Sequence, residues 1–248
     1  MASGVLALDK LGPTGGRRTE QIMHAIRSAV DDGNMVAGEL YSVYQLSEVL
    51  GVSRTPVRDA LLVLEQIGLI KFERRQGFRI LLPDPVDIAE IFDARLQLEV
   101  SAVRRAAVDA SLPFLARLDA QMEQMLRAAD AGESQSFALL DQDLHALILN
   151  EAGNKRIAEY VGSLRETTRL LGASTMQRTR SLRDVHEEHR PIIEAIRERD
   201  GDAAGRMMYE HLVATGRLLV AQAVDAQRST ADPERIWADV VIPSHVQL

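Results

Sequence analysis

The 248-residue sequence contains no cysteine, which excludes disulfide bonds and thiolate metal sites and fits a reducing compartment. Aromatic residues make up only 4%, with a single tryptophan among them. No stretch approaches the ~18 consecutive apolar residues of a transmembrane helix, and the N-terminus lacks the apolar core of a signal peptide. We therefore expect a soluble cytoplasmic protein whose core is built from its 46% of hydrophobic residues.

Charge is unevenly distributed along the chain, although the net value is −7. Residues 1–84 contain ten basic and ten acidic residues, so the rest of the chain carries the whole negative excess. Within residues 51–82, six basic residues outnumber three acidic ones. This distribution predicts that a polyanion is attracted to one end of the chain only.

The first third of the chain has the pattern of a small helical domain followed by a hairpin. Apolar residues recur at helical spacing in 18–32 and 43–50, and again from Ser53 to about Gln66. Two short β-prone runs, 69–73 and 78–82, then flank a turn that contains glycine. Three helices and a hairpin predict a winged helix-turn-helix domain over residues 18–82.

The third helix of this domain carries cations where cations are unfavourable. Ser53 or Thr55 can cap the helix, and Pro56 fits its first turn. Arg54 and Arg58 are four residues apart and share a face near the N-terminus, the positive end of the helix dipole. Acidic residues are the stabilising choice there, so the two arginines indicate an anionic partner. Helix-turn-helix proteins read the major groove of DNA from this position.

The alternative is a solvated helix whose arginines pair with Glu48 or Asp59. We favour DNA recognition by this helix, with contacts from Ser53, Arg54, Thr55 and Arg58. At the hairpin, Arg74, Arg75 and Gly77 predict a wing that lies along phosphates or in the minor groove. The alternative for the hairpin is a ribbon that serves packing alone.

Residues after the short linker 83–85 read as an antiparallel all-helical bundle. The predicted helices are 86–109, 112–130, 134–151, 154–173, 181–199 and 202–225, separated by breaks that contain glycine or proline. This gives an all-helical second domain over 86–225. We predict a flexible arm at 1–17 and, because periodicity is lost, a tail at 226–248. The fold class is therefore mainly α.

Two charged residues lie on the apolar face of the first helix in this bundle. At 100° per residue, Arg95 and Glu99 fall near the centre of that face. Buried charges need partners. A mutual salt bridge four residues apart is one interpretation, and an arginine placed for an anionic ligand is the other. The two interpretations are compatible.

Four polar side chains converge on the apolar faces of three other helices. A single inward histidine is more often a satisfied core residue, and a lone Asp–His pair is more often a hydrogen-bonded pair. Three inward histidines on three helices beside a carboxylate instead indicate a site for Zn²⁺, Ni²⁺ or another borderline divalent ion. These residues are Asp141, His145, His189 and His211.

Both halves of the chain resemble the GntR family of bacterial transcription regulators, in its FadR-like branch with an FCD ligand-binding domain. Gly51-Val-Ser-Arg-Thr-Pro-Val-Arg-Asp-Ala-Leu is similar to the recognition-helix signature of that family. Asp141-Gln-Asp-Leu-His145-Ala-Leu, ending in Gly153-Asn154, resembles the FCD motif. Glu188-His189-Arg-Pro-Ile-Ile-Glu-Ala-Ile, followed 22 residues later by His211-Leu212, resembles it as well. The resemblance covers about residues 18–225.

The resemblance implies a role for each matching residue. Asp141, His145, His189 and His211 would be ligands of the metal, most simply Zn²⁺, with Ni²⁺ or Mn²⁺ as alternatives. Arg54 and Arg58 would read bases or phosphates, and Gly77 would lie at the wing tip. Tyr44 stands where some relatives carry a DNA-contacting arginine.

Together with this resemblance, the patterns imply a homodimeric, metabolite-responsive DNA-binding regulator, a repressor that binds a palindromic operator. Residues 86–225 would be its metal- and effector-binding and dimerisation domain. Its effector would be a small carboxylate bound near the metal, with Arg95, Glu99 and Asn154 as candidate contacts. We keep two alternatives. One is a metal-dependent hydrolase with a DNA-binding domain, which needs a general base such as Glu99 free of Arg95. The other is a regulator with a structural metal and a fatty-acyl effector or none.

Overall fold

The structure, a computed structural model, describes residues 18–31, 33–170 and 180–241. The chain divides into two compact units, whose main boundary lies between Asp84 and Pro85. The predicted linker, 83–85, extends one residue too far, since Pro85 already begins a helix. The predicted arm 1–17, residues 171–173 of the fourth bundle helix and the last seven residues lie outside the described residues.

The first unit is a three-helix domain with a small antiparallel sheet, as the sequence predicts. Its elements are α1 (Arg18–Asp31), β1 (Leu40–Tyr41), α2 (Val43–Leu50), α3 (Arg54–Gln66), β2 (Ile70–Glu73) and β3 (Gly77–Ile80). The strand order is β1-β3-β2, and both pairings are antiparallel. The hairpin strands are confirmed, whereas β1, only two residues long, is not predicted by any period.

Caps and a left-handed residue fix the turn between α2 and α3. The Ser42 side chain accepts a hydrogen bond from the Gln45 N–H at the start of α2. Gly51 ends that helix with φ 67°, a conformation that glycine adopts without the steric cost of a side chain. Ser53 occupies the N-cap position of α3, although its side chain makes no capping hydrogen bond.

The core of the first unit forms along the predicted stripe of α3. Val57, Leu61 and Leu64 are fully buried. At the edge of this stripe, Glu65 accepts a hydrogen bond from the Phe72 N–H at 2.8 Å and so joins α3 to β2. The buried stripe therefore leaves the first turn and the outer face of α3 to solvent.

The second unit is a helical bundle, which confirms the predicted fold class. Its helices are α4 (Pro85–Val108), α5 (Leu112–Ala131), α6 (Ser134–Glu151), α7 (Lys155–Leu170), α8 (Leu182–Arg197), α9 (Gly201–Ala226) and α10 (Pro233–Val240). The long helices α4 and α9 pack together along much of their length; α6 packs against α4, α8 packs against both, and α5 packs against α6 and α8. The six predicted helices agree with the observed bounds to within two residues at each end that the structure describes.

The prediction of a structureless tail from residue 226 is wrong for α10. Asp232 caps this helix by accepting from the Glu234 N–H, and Pro233 occupies its first position. Trp237 is buried at 4% exposure. Eight residues span about two turns, too few for a hydrophobic period to stand out.

Among the described helices, none is long and apolar enough to cross a membrane.

Candidate functional site

Three imidazole rings meet in the interior of the second unit. They belong to His145 on α6, His189 on α8 and His211 on α9. The ring centroids lie 4.5 to 5.6 Å apart. One possible ligand atom from each residue falls within 4.8 Å of the other two. The structure thus brings together the three histidines that the sequence placed on separate apolar faces.

Hydrogen bonds on the outer side of the cluster fix the tautomers of two histidines. The Nδ1 atom of His189 lies 2.8 Å from the Val185 carbonyl oxygen, which can only accept, so Nδ1 carries the proton. The Nδ1 atom of His145 lies 2.8 Å from a Glu99 carboxylate oxygen and donates to it in the same way. In both neutral rings the Nε2 atom is therefore an unprotonated acceptor.

The two Nε2 atoms face each other at 3.3 Å. Both residues are only 1% exposed, so the contact between the two lone pairs is shielded from bulk solvent. The Oδ1 atom of Asp141 lies 3.3 Å from His189 Nε2 and adds a third electron-rich atom. Two imidazole lone pairs and a carboxylate oxygen that converge in this way suit a divalent cation, and the outer hydrogen bonds are those that orient metal-bound histidines.

Burial keeps these imidazoles neutral. Desolvation, aided by the nearby Arg165 guanidinium, lowers the pKa of His145 from 6.5 to about 4, against the opposing effect of Glu99. Desolvation and the neighbouring His211 hold the pKa of His189 well below its ordinary value. Neutral imidazole is the form that binds metal ions. His145 and His189 are therefore in their ligating state at neutral pH.

Arg165 of α7 is a residue of this site that the sequence reasoning missed. Its Nη2 donates to Asp141 Oδ2 at 2.6 Å, and both side chains are mostly buried. Burial would raise the pKa of Asp141, but Arg165 and the histidines outweigh that effect and lower it. Helical periodicity could have placed Arg165 on an inward face, because Ile157, Val161 and Arg165 follow one another at four-residue spacing. Val161 is fully buried.

Arg95 and Glu99 form the mutual salt bridge that was one of the two interpretations. The Arg95 Nε atom lies 2.7 Å from Glu99 Oε1, at 4% and 1% exposure, and the guanidinium carbon sits 4.6 Å from the centre of the Phe92 ring. The other oxygen of Glu99 holds His145. Burial would raise the pKa of Glu99, but Arg95 and His145 outweigh it and hold that pKa well below its ordinary value. Glu99 is thus engaged on both oxygens and orients a histidine.

His211 has a buried nitrogen without a hydrogen-bond partner. Its Nδ1 atom makes no hydrogen bond in the described structure and lies 3.7 Å from the Glu188 carboxylate. Glu188 itself pairs with Arg180. An orphaned buried nitrogen costs free energy unless another group, such as an ion, satisfies it. The nearest acceptor for this nitrogen is thus the Glu188 carboxylate, beyond hydrogen-bond distance.

Asn154 lies at the N-terminus of α7, where it acts as a cap. Its Oδ1 atom accepts from the backbone N–H groups of Arg156 and Ile157, at 3.1 and 3.3 Å. This capping explains the residue locally. Its role in effector binding stays a prediction.

The residues predicted to contact DNA form an exposed surface of the first unit. Six of them, in the first turns of α3 and at the hairpin tip, are exposed: Ser53, Arg54, Thr55, Arg58, Arg74 and Arg75. Within the described residues, neither Glu48 nor Asp59 pairs with an arginine of α3. Tyr44 of α2 is 58% exposed. Cationic side chains without acidic partners are available to phosphates or base edges.

Gly77 has a demanding position at the hairpin tip. Its φ is 136°, and a Cβ atom added there would lie 2.0 Å from the Tyr41 carbonyl oxygen. Arg75, two residues earlier, also has a positive φ of 62°. The tip is thus tightly turned against β1, and its two arginines project from it.

Comparison with known families identifies both units. Residues 18–80 match the family described as bacterial regulatory proteins, gntR family. Residues 90–214 match the FCD domain. The histidine cluster lies inside the second match, and the exposed arginines lie inside the first. Helix α10 lies outside both.

Two bacterial proteins similar to this chain are HTH-type transcription regulators. The chain is 30% identical over 195 residues to the HTH-type transcriptional regulator YdhC of Bacillus subtilis (strain 168), covering 77% of this chain and 86% of the relative. It is 24% identical over 196 residues to the HTH-type transcriptional repressor RspR of Escherichia coli (strain K12), covering 78% and 85%. The solved structure of E. coli McbR/YncC superposes with a TM-score of 0.65 at 21% identity, over 84% of this chain and 99% of that one.

Proposed function

This chain belongs to the gntR family of bacterial regulatory proteins and carries an FCD domain, and we propose that it is a homodimeric repressor controlled by a small carboxylate at a divalent metal. Its relatives are transcription regulators, and this chain is likewise a DNA-binding transcription regulator and not an enzyme. The hydrolase alternative is therefore set aside, and Glu99, held by Arg95, also lacks the freedom of a general base. The name of RspR supports repression.

The facing Nε2 atoms of His145 and His189 carry the metal proposal. Two unprotonated nitrogens 3.3 Å apart in a buried site would be stabilised by a cation that both of them bind. The proposed ligands are His145, His189, His211 and Asp141, with Zn²⁺ as the ion and Ni²⁺ or Mn²⁺ as alternatives. A divalent ion there supplies Lewis acidity and open coordination positions for carboxylate oxygens.

Arg165 extends the proposed effector site. Its Nη2 atom is taken by Asp141, whereas its buried Nε atom has no hydrogen-bond partner in the described structure. A free, buried guanidinium N–H beside the cluster suits an anionic ligand. We place Arg165 with the earlier candidates Arg95, Glu99 and Asn154, of which Glu99 contributes through the orientation of His145.

On DNA, the proposed dimer presents two copies of α3 to a palindromic operator. Half-site centres one helical turn apart, or a multiple of it, match such a pair of recognition helices. Arg54 and Arg58 would contact the major groove, and Arg74 and Arg75 the backbone or minor groove. Effector binding would change the populations of dimer conformations that fit the operator.

Elemental analysis of the purified protein tests the metal site. We expect about one divalent ion per chain in the wild type and loss of the ion in the double variant Asp141→Ala, His189→Ala. His24→Ala, at an exposed histidine of α1, is the matched control and should keep the ion. Equal metal content in the wild type and the double variant would refute the proposed ligand set.

Operator binding measured with and without carboxylates tests the switch. With metal-loaded protein, at least one small carboxylate should change operator affinity, and the double variant should not respond. A wild-type protein that binds its operator with the same affinity in every carboxylate tested contradicts the proposed control.

A further inference from the structure

Helix α10 lies outside the FCD match, and its only buried side chain among the described residues is Trp237, the sole tryptophan of the chain. The helix packs against α4 and α9. Its ion pairs, such as Arg217–Glu234 at 3.4 Å, are exposed and contribute little. Trp237 is therefore the anchor that fixes this helix to the bundle.

Trp237 fits a slot that requires glycine. A Cβ atom added at Gly216 of α9 would lie 2.4 Å from the Cη2 and Cζ3 atoms of the indole and 2.9 Å from Cδ1 of Phe92. The Phe92 and Trp237 rings have centroids 6.3 Å apart and are tilted by 53°. Gly216 thus leaves room for the indole to press on Phe92.

Phe92 joins this anchor to the histidine cluster by direct contacts. The Arg95 guanidinium lies over the Phe92 ring, Arg95 binds one oxygen of Glu99, and Glu99 holds His145 through the other. Every member of this series is at most 4% exposed. The side chains therefore have little freedom to rearrange independently of one another.

The helix itself needs its anchor to persist. An isolated helix of eight residues is far below the ~12–15 residues at which helices become even marginally stable in water. Asp232 and Pro233 favour its start, but a single buried indole holds it in place. Release of Trp237 would therefore free both the helix and one side of Phe92.

We propose that α10 is a clamp on the metal site, in which Trp237 is a positioning residue that acts through Phe92 on the Arg95–Glu99 pair and so fixes His145. This inference rests on the proposed metal function. Groups that orient a ligating histidine commonly change metal affinity by about ten- to a hundredfold when removed. Trp237 would set metal affinity without touching the ion.

The test is competitive Zn²⁺ titration of full-length variants against a chromophoric chelator. Trp237→Ala and Gly216→Ala, which displaces the indole instead of deleting it, should each weaken Zn²⁺ binding by about tenfold or more. Trp237→Phe should restore most of the affinity. Arg235→Ala, at an exposed residue of the same helix, is the matched control and should bind as the wild type does.

A double-mutant comparison separates positioning from loss of stability. If Trp237 acts through Glu99, then Trp237→Ala should cause little further loss of Zn²⁺ affinity in a Glu99→Gln background. In the wild type, indole fluorescence should also change when Zn²⁺ binds. Operator binding without effector should persist in Trp237→Phe and confirm that this variant is folded.

Three results would overturn the clamp. Zn²⁺ affinities of Trp237→Ala and Gly216→Ala within about twofold of wild type would show that the anchor is only structural. Losses from Trp237→Ala and Glu99→Gln that multiply would show that the two act independently. A wild-type protein that binds no Zn²⁺ would remove this inference together with the proposed function, whereas the first two results leave the proposed function intact.

Discussion

At the scale of residues, the buried histidines make the stability of the metal-free protein depend on pH. His145 has a pKa of about 4 in the folded chain, against 6.5 for the free side chain, and the pKa of His189 is lowered in the same direction. Between these values the unfolded chain binds protons that the folded chain does not bind. Their contribution to stability is thus complete above pH 6.5 and is lost as the pH falls toward 4.

We expect metal-free protein to lose about 2 kcal/mol of unfolding free energy from His145 alone between pH 7 and pH 5. Urea denaturation at a series of pH values measures this loss. His145→Gln should flatten the dependence because glutamine does not titrate, whereas His24→Gln, at an exposed histidine, should leave it unchanged. A pH dependence that survives in His145→Gln undiminished contradicts the assignment.

The arginines of the first unit should differ in what they do on DNA. Arg58→Ala should cost about 1–3 kcal/mol of operator binding and relax sequence preference, as expected for a base contact. Arg74→Ala should weaken binding to all sequences alike and reduce the salt dependence of log K by about one. Fluorescence anisotropy at several salt concentrations distinguishes the two. Arg127→Ala, in an exposed ion pair of α5, is the control.

Individual residues show how far sequence reasoning reached. Periodicity was sufficient to place His145, His189 and His211 on inward faces, and the fold then brought them together. Periodicity could not assign hydrogen-bond and ion-pair partners, because these depend on which helices pack against each other. Arg165 was missed for this reason, and the same information was lacking for Glu99, whose second oxygen holds His145.

At the scale of elements, the wing depends on Gly77. Gly77→Ala should destabilise the first unit by about 2 kcal/mol or more, because it combines a disfavoured φ with a clash against the Tyr41 carbonyl. Gly38→Ala is the matched control. Its φ of 85° imposes similar strain, but nothing lies within 4 Å of the added Cβ, so a loss of about 1 kcal/mol is expected.

Thermal unfolding of both variants measures the difference, and operator affinity reports the wing itself. Equal destabilisation by Gly77→Ala and Gly38→Ala would show that the contact with Tyr41 is unimportant.

The long helices were predictable since their periods extend over four or more turns. Strand β1 and helix α10 were not predictable, because two strand residues or two helical turns carry too little pattern.

At the scale of the whole molecule, metal should stabilise the folded chain by mass action. At Zn²⁺ concentrations about a hundredfold above Kd, the gain is about 2.7 kcal/mol. Thermal unfolding with added Zn²⁺ and with a chelator should therefore differ for the wild type. The double variant Asp141→Ala, His189→Ala should melt at one temperature in both conditions. A wild-type melting temperature that is insensitive to both additions would count against a bound ion.

Two units with different partners were predictable from composition along the chain. The basic excess in 51–82 and the acidic remainder separated the DNA-binding surface from the helical body. The boundary at Asp84 follows from the two prolines that flank it. The identities of metal, effector and operator do not follow, since they depend on coordination geometry and on contacts that sequence patterns do not encode.

Around the histidine cluster, opposite charges cancel before any ion arrives. Glu99 is neutralised by Arg95 and Asp141 by Arg165, while the imidazoles of His145 and His189 are neutral. A divalent ion would thus bring two uncompensated positive charges into a buried site, where unbalanced charge is costly. A dicarboxylate would restore electroneutrality better than a monocarboxylate. The ion and the dianion would then each raise the affinity of the site for the other by the same factor. Neither of them alone would therefore produce the full change in operator affinity.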